Sequence, residues 1–120
     1  MKLNGANEVP AADPDGKARF LFVAAGDQLC YFFAAKDIDP PLAAHIHAGA
    51  AGVNGPIVVM LMVPDPVSHE CITANPDEST NSTAVLTQSE LDAIIANPAG
   101  FYANVHTAPF PAGAVRGQLG

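Results

Sequence analysis

The chain has 120 residues, enough for one domain and too few for two of ordinary size. Hydrophobic residues make up 49% and charged residues only 14%, so the composition excludes a disordered chain and allows a packed core. Five basic residues against 12 acidic ones give a net charge of −7, which disfavours nucleic acid and anionic lipid as partners. The longest apolar run, Ile57 to Val63, is far shorter than a membrane span, so no membrane insertion is expected. We therefore expect one domain over residues 1–120.

Glycine and proline interrupt the sequence at short intervals, which is typical of many short strands joined by turns. In the first strand, Phe20 and Phe22 alternate with Leu21 and Val23, so one face is expected to be buried. The six predicted strands are Lys17 to Ala25, Gln28 to Ala35, Ala43 to His47, Ile57 to Val63, Phe101 to Thr107 and Ala114 to Leu119. The polar stretch from Asn75 to Thr83 is predicted to be a surface loop.

One short helix is predicted near residues 88–96. Thr87 and Glu90 have the spacing of a capping box, and Leu91, Ile94 and Ile95 form one apolar stripe. Asn97 and the following proline end the helix. Together these elements predict an all-β fold, an antiparallel Greek-key β-sandwich with this helix inserted before the last two strands.

The two cysteines bear on the compartment in which the protein works. An even pair in a small exported domain predicts a disulfide between Cys30 and Cys71, and the alternative is two buried thiols in a reducing compartment. No secretory signal is visible behind Met1 and Lys2. The scarcity of lysine and the abundance of turn residues favour a mature periplasmic or secreted domain over a cytosolic protein.

Three of the four histidines have a pattern that predicts a metal site. His45 and His47 lie two residues apart on a predicted strand, so both rings point to one face. His106 lies on another predicted strand, and three imidazoles with an open position suit copper, with zinc the less favoured ion. His69 is a possible fourth ligand; the alternative is a solvated loop histidine beside the disulfide. For the pair at 45 and 47, the alternative is two polar residues on a solvent-facing strand.

Arg116 is a candidate for binding a small anion such as superoxide, because it lies on the strand expected to pair with that of His106. In a chain of net charge −7, a guanidinium beside a metal would create a local positive region. The alternative role is a structural salt bridge.

The motifs taken together resemble the CHRD domain, the module named after chordin. The resemblance is carried by residues 3–10, 44–49, 52–58, 102–107 and 111–119, in the expected order. It implies an extracytoplasmic β-sandwich. The arrangement of three histidines is also similar to the copper half of Cu/Zn superoxide dismutase, although the further ligands of a zinc site are missing.

These observations support three functions of different kinds. The first is a copper-only superoxide dismutase, in which His45, His47 and His106 bind the metal and Arg116 guides the anion. The second is non-enzymatic copper storage or delivery by the same ligands. The third is a structural or adhesive extracellular module in which the histidines only form hydrogen bonds.

Overall fold

The computed structural model describes all 120 residues and contains eight strands and one α-helix. The strands are β1 (Lys2–Asn4), β2 (Lys17–Ala25), β3 (Gln28–Lys36), β4 (Pro41–Ala48), β5 (Ile57–Leu61), β6 (Val67–Thr73), β7 (Phe101–Thr107) and β8 (Val115–Gln118). The helix α1 spans Gln88–Ala96 between β6 and β7. It is too short to cross a lipid bilayer, and no other helix in the chain has the length and hydropathy to do so.

All eight strands belong to one antiparallel sheet with the order β5-β4-β7-β8-β1-β2-β3-β6. The prediction of an antiparallel all-β fold with a helix over 88–96 is confirmed. The continuous hydrogen bonding differs from the predicted sandwich, which would have two separately bonded sheets. The short strand β1 is the reason, because it pairs with both β8 and β2 and so joins the two halves.

The two halves of the sheet pack their inner faces around one core. Phe20 and Phe33 come from β2 and β3, and Ile46 and Val105 come from β4 and β7. Leu91 and Ile94 of α1 complete the same cluster, as the apolar stripe predicted, whereas Ile95 of that stripe is 44% exposed. The alternation in β2 is also as expected, since Phe20 is buried while Leu21 and Val23 are exposed.

The predicted capping box of α1 is present. The Thr87 side chain accepts from the Glu90 backbone, and the Glu90 carboxylate accepts from the Thr87 backbone at 2.9 Å. The disulfide between Cys30 and Cys71 is also present and joins β3 to the edge strand β6, where the two cysteines are directly opposite. A cross-link of this kind is typical of an oxidising compartment.

The sequence did not predict β1 or β6. The turn after β4 lies at Ala51 and Gly52, within a longer loop that also contains Asn54 and Gly55. Met60 and Met62 are exposed on and just beyond β5.

Candidate metal centre

The site is built on the outer face of the pair β4 and β7. In their antiparallel register His45 lies opposite Asn104, and His47 lies opposite Tyr102. His106 is two residues beyond Asn104 on the same strand. Because side chains of directly paired residues point to the same side of a sheet, these five groups share one face. The opposite face of both strands belongs to the apolar core.

This register brings the three predicted histidines together. One ring nitrogen from each of His45, His47 and His106 lies within 4.8 Å of the others. His45 Nδ1 is 3.0 Å from His106 Nε2. His47 is buried, whereas the rings of His45 and His106 are half-buried, so the group is open to solvent on one side.

Backbone carbonyl groups fix the tautomers of two of these rings. His47 Nδ1 lies 2.9 Å from the Gly55 carbonyl oxygen, and His106 Nδ1 lies 2.9 Å from that of Pro111. A carbonyl oxygen only accepts, so each Nδ1 carries the hydrogen and each Nε2 presents a lone pair. This is the arrangement usual for metal-bound histidine, in which the second ring nitrogen donates to a carbonyl or carboxylate.

The group around Asn104 has more hydrogen-bond acceptors than hydrogens. Asn104 Oδ1 lies 3.0 Å from His47 Nε2 and 3.1 Å from His106 Nε2, and both nitrogens are acceptors in the tautomers just described. On its other side the amide faces the Glu8 carboxylate and helps to hold it in the charged form. With the Asn104 Nδ2 directed at Glu8, three acceptors converge, and only His45 Nδ1 can supply a hydrogen to them. A bound cation would satisfy all of them.

The surroundings keep two of the imidazoles, those of His45 and His47, neutral. Burial, together with the neighbouring rings of His106 and His47, lowers the pKa of His45 to about 4. Burial also lowers the pKa of His47, although the Gly55 carbonyl acts in the opposite direction. Neutral imidazole is the form that binds metals, so protons do not compete strongly at neutral pH.

The His47 ring stacks on Tyr102, which in turn contacts Arg116. The two rings lie parallel, with the centroids 4.7 Å apart and the planes inclined by 5°. The Arg116 guanidinium also lies over the Tyr102 ring, 4.0 Å from the ring centroid. Both contacts have favourable electrostatics and fix the position of the His47 ring.

Arg116 also holds the loop that covers the site. Its Nε donates to Glu8 at 2.8 Å in the only ion pair of the structure. Its other two nitrogens donate to the Val53 carbonyl at 2.9 Å and to Asn54 Oδ1 at 2.6 Å. The residue is only 3% exposed. The structure thus favours the alternative role, a structural salt bridge, because no part of the guanidinium faces solvent where an anion would approach.

The buried Glu8 carboxylate needs a glycine beside it. Burial raises the pKa of Glu8, and Arg116 and Asn104 act in the opposite direction. Gly113 has φ of +132°, and a Cβ there would collide with the Glu8 carboxylate. The close approach thus explains why this position is glycine.

The remaining predicted site residues lie elsewhere. His69 is exposed on β6, at the opposite end of the strand order from β4, and is not in the histidine group. Its backbone is in a strand paired with β3, and the structure does not bring its ring to the other three. Cys30 and Cys71 are in the disulfide on β3 and β6 and offer no thiolate.

Three residues of the site were missed from the sequence: Glu8, Tyr102 and Asn104. The last two share the face of His106 through the period of two on a strand, and this signal could have identified them. Glu8 lies outside any strand and far from the histidines in sequence, so no local pattern points to it.

The fold and site define a small antiparallel β-domain with a loop-covered cluster of three histidines on its outer face. The sequence profile of the CHRD domain matches residues 1–119. The chain therefore belongs to the CHRD domain family, as the resemblance implied. Searches of the curated proteins and of the solved structures found no match.

Proposed function

We propose that the protein is an extracytoplasmic copper-binding CHRD domain, with His45, His47 and His106 as the ligands. The observation that carries this proposal is the convergence of acceptors, because two Nε2 lone pairs and Asn104 Oδ1 face each other with too few hydrogens between them. A structural hydrogen-bond network would place a donor against each acceptor. Nitrogen ligands of this type suit copper and zinc.

The neighbouring strand favours copper over zinc. Met60 on β5 lies directly opposite His45 in the register, and its side chain is half-exposed on the same face. A thioether is a soft ligand that prefers copper, above all Cu(I), to zinc. Met60 lies outside the buried core, which leaves its thioether free for a role near the metal.

Superoxide dismutation is a second candidate, favoured by the half-buried rings of His45 and His106 that leave one side of the site open. Copper would supply one-electron oxidation and reduction of a small oxygen species. The chain itself contributes a buried, stacked His47 that is held by Gly55 and Tyr102. Storage or delivery of copper uses the same residues without turnover, and a metal-free adhesive module would use none of them.

The test is metal binding by the purified full chain. We expect stoichiometric copper uptake by the wild type, a spin-resonance spectrum with nitrogen coupling, and a melting temperature that rises with copper. His106→Gln should lose tight binding, while His69→Gln, an exposed histidine on β6, is the matched control and should retain it. Equal affinity of the wild type and His106→Gln would refute the proposal.

Activity separates the candidate functions. Superoxide consumption by the copper-loaded wild type above that of the same concentration of free copper would support the enzyme. Copper binding without such activity would support storage or delivery. Absence of both binding and a thermal shift would leave the adhesive module.

A further inference from the structure

Four of the five basic residues lie together, far from Arg116. Lys2, Lys17, Arg19 and Lys36 are all exposed and line the largest cavity of the structure, a groove of about 550 Å³ across β1, β2 and β3. The strand register explains the clustering, since Lys2 is opposite Arg19 and Lys17 is opposite Lys36. The groove is therefore strongly cationic in a chain of net charge −7.

This arrangement costs stability in the free protein. Like charges directly opposite on neighbouring strands repel each other. None of the four residues forms an ion pair with a carboxylate, since the only ion pair joins Arg116 to Glu8. A cluster that opposes folding and lacks internal partners points to an external anion.

The same face continues into an exposed apolar area. Leu21 and Val23 follow Arg19 on β2 and are 57% and 71% exposed, and Phe32 on β3 is 44% exposed. Leu21 lies opposite Phe32 in the register. This pair is two residues along each strand from the pair Arg19 and Ala34, and so lies on the same face. The outer face of β2 and β3 thus has a cationic half and an apolar half side by side.

We propose that this face binds the surface of a membrane containing anionic lipid. The four cations would contact lipid phosphate groups, and Leu21, Val23 and Phe32 would enter the boundary of the acyl chains, as on other peripheral proteins. A free phosphate or an anionic polysaccharide would use the cations but leave the apolar half without a function. This partner differs from the expectation drawn from net charge. Charges more than about 8–10 Å away are screened at physiological ionic strength, so the local cluster determines the attraction.

The experiment is co-sedimentation of the full chain with vesicles. We expect binding to vesicles of equal parts phosphatidylglycerol and phosphatidylcholine, weakening with added salt, and none to phosphatidylcholine alone. The double variant K17Q/K36Q should bind roughly 25-fold more weakly, at about fivefold per cation. It removes a repulsive pair, so its melting temperature should not fall.

The apolar half is tested separately. L21T/V23T should weaken vesicle binding, whereas L42T, a change at an exposed leucine on β4, is the matched control and should not. Dextran sulfate and inorganic phosphate serve as lipid-free anions. Failure to bind the anionic vesicles at low salt, or equal binding by K17Q/K36Q, would overturn the proposal. The proposal would also be overturned if the protein bound dextran sulfate and L21T/V23T bound vesicles as well as the wild type does. That result would identify a site for polyanions in general.

Discussion

The two faces of β4 and β7 both bury side chains, but by different means. The inner face presents Ala44, Ile46, Ala103 and Val105 to the apolar core. The outer face presents His47, Tyr102 and Asn104. His47 and Tyr102 are hydrogen-bonded to Gly55 in the covering loop, and Asn104 contacts the rings of His47 and His106. Apolar burial requires only shape and volume, whereas each polar group under the loops requires its own partner. On the outer face, a buried polar group without a hydrogen-bond partner therefore indicates a binding function.

The largest effect is expected from the ion pair on the outer face. Arg116→Met would leave the Glu8 carboxylate buried without its partner and lower the free energy of unfolding by about 3–5 kcal/mol. Denaturation in urea measures this loss. The double variant Glu8→Leu/Arg116→Met should recover much of it, because the unpaired charge is gone. A loss below about 1 kcal/mol for Arg116→Met would show that the pair is not effectively buried.

On the inner face, Ile46→Ala should lower the free energy of unfolding by about 2–4 kcal/mol through lost burial and the cavity left behind. Ile46 lies between His45 and His47 but points to the core, so copper affinity of the folded variant should stay near that of the wild type. Isothermal titration of the variant with copper, below its melting temperature, checks this. A large loss of affinity would mean that the two faces are coupled through the strand.

Asn104→Leu should affect binding more than folding. The amide contacts two ligand rings, and loss of such a contact typically costs 10–100-fold in metal affinity. Competition with a chelator measures the change. Thr107→Val on the same strand is the control, since the Thr107 hydroxyl is buried without a partner and its loss should leave both affinity and stability unchanged. If Asn104→Leu and Thr107→Val had similar metal affinities, Asn104 would have no role in metal binding.

The smallest effect is expected from pH in the metal-free protein. The pKa of His45 is lowered to about 4 in the fold, against about 6.5 in an unfolded chain. Between these values the unfolded chain binds a proton that the folded protein does not, so stability falls as pH decreases from about 6.5 to 4. Thermal unfolding in the presence of a chelator should show this slope. The slope should be shallower in His45→Gln and unchanged in His69→Gln; equal slopes in all three proteins would contradict the prediction.

Much of the fold was predictable from local patterns. The alternation from Phe20 to Val23 identified the strand but not which of its two apolar faces is buried, and Thr87 with Glu90 identified the start of the helix. The strand β1 was missed because a strand of three residues is too short to show an alternation of apolar and polar side chains. The strand β6 was missed because Ser68, His69 and Glu70 have no apolar alternation at this sheet edge.

The three histidines of the site were predictable, but the residues that support them were not. The spacing of His45 and His47 fixed their common face, and only the register of β4 with β7 placed His106 beside them. The contacts of Arg116 could not be foreseen, because Glu8 and Asn54 reach it through loops whose paths have no sequence period. The negative net charge gave no indication of the basic groove. The groove forms because the strand register brings four basic residues together.

The central place of β1 has a consequence for how the molecule is made. This strand, from the first residues of the chain, pairs with β8, formed by almost the last, and the Glu8–Arg116 pair joins the same distant segments. Contacts between such remote segments slow folding, because a long loop must close before they form. A chain emerging from a ribosome therefore cannot complete its sheet until β8 has emerged and can pair with β1.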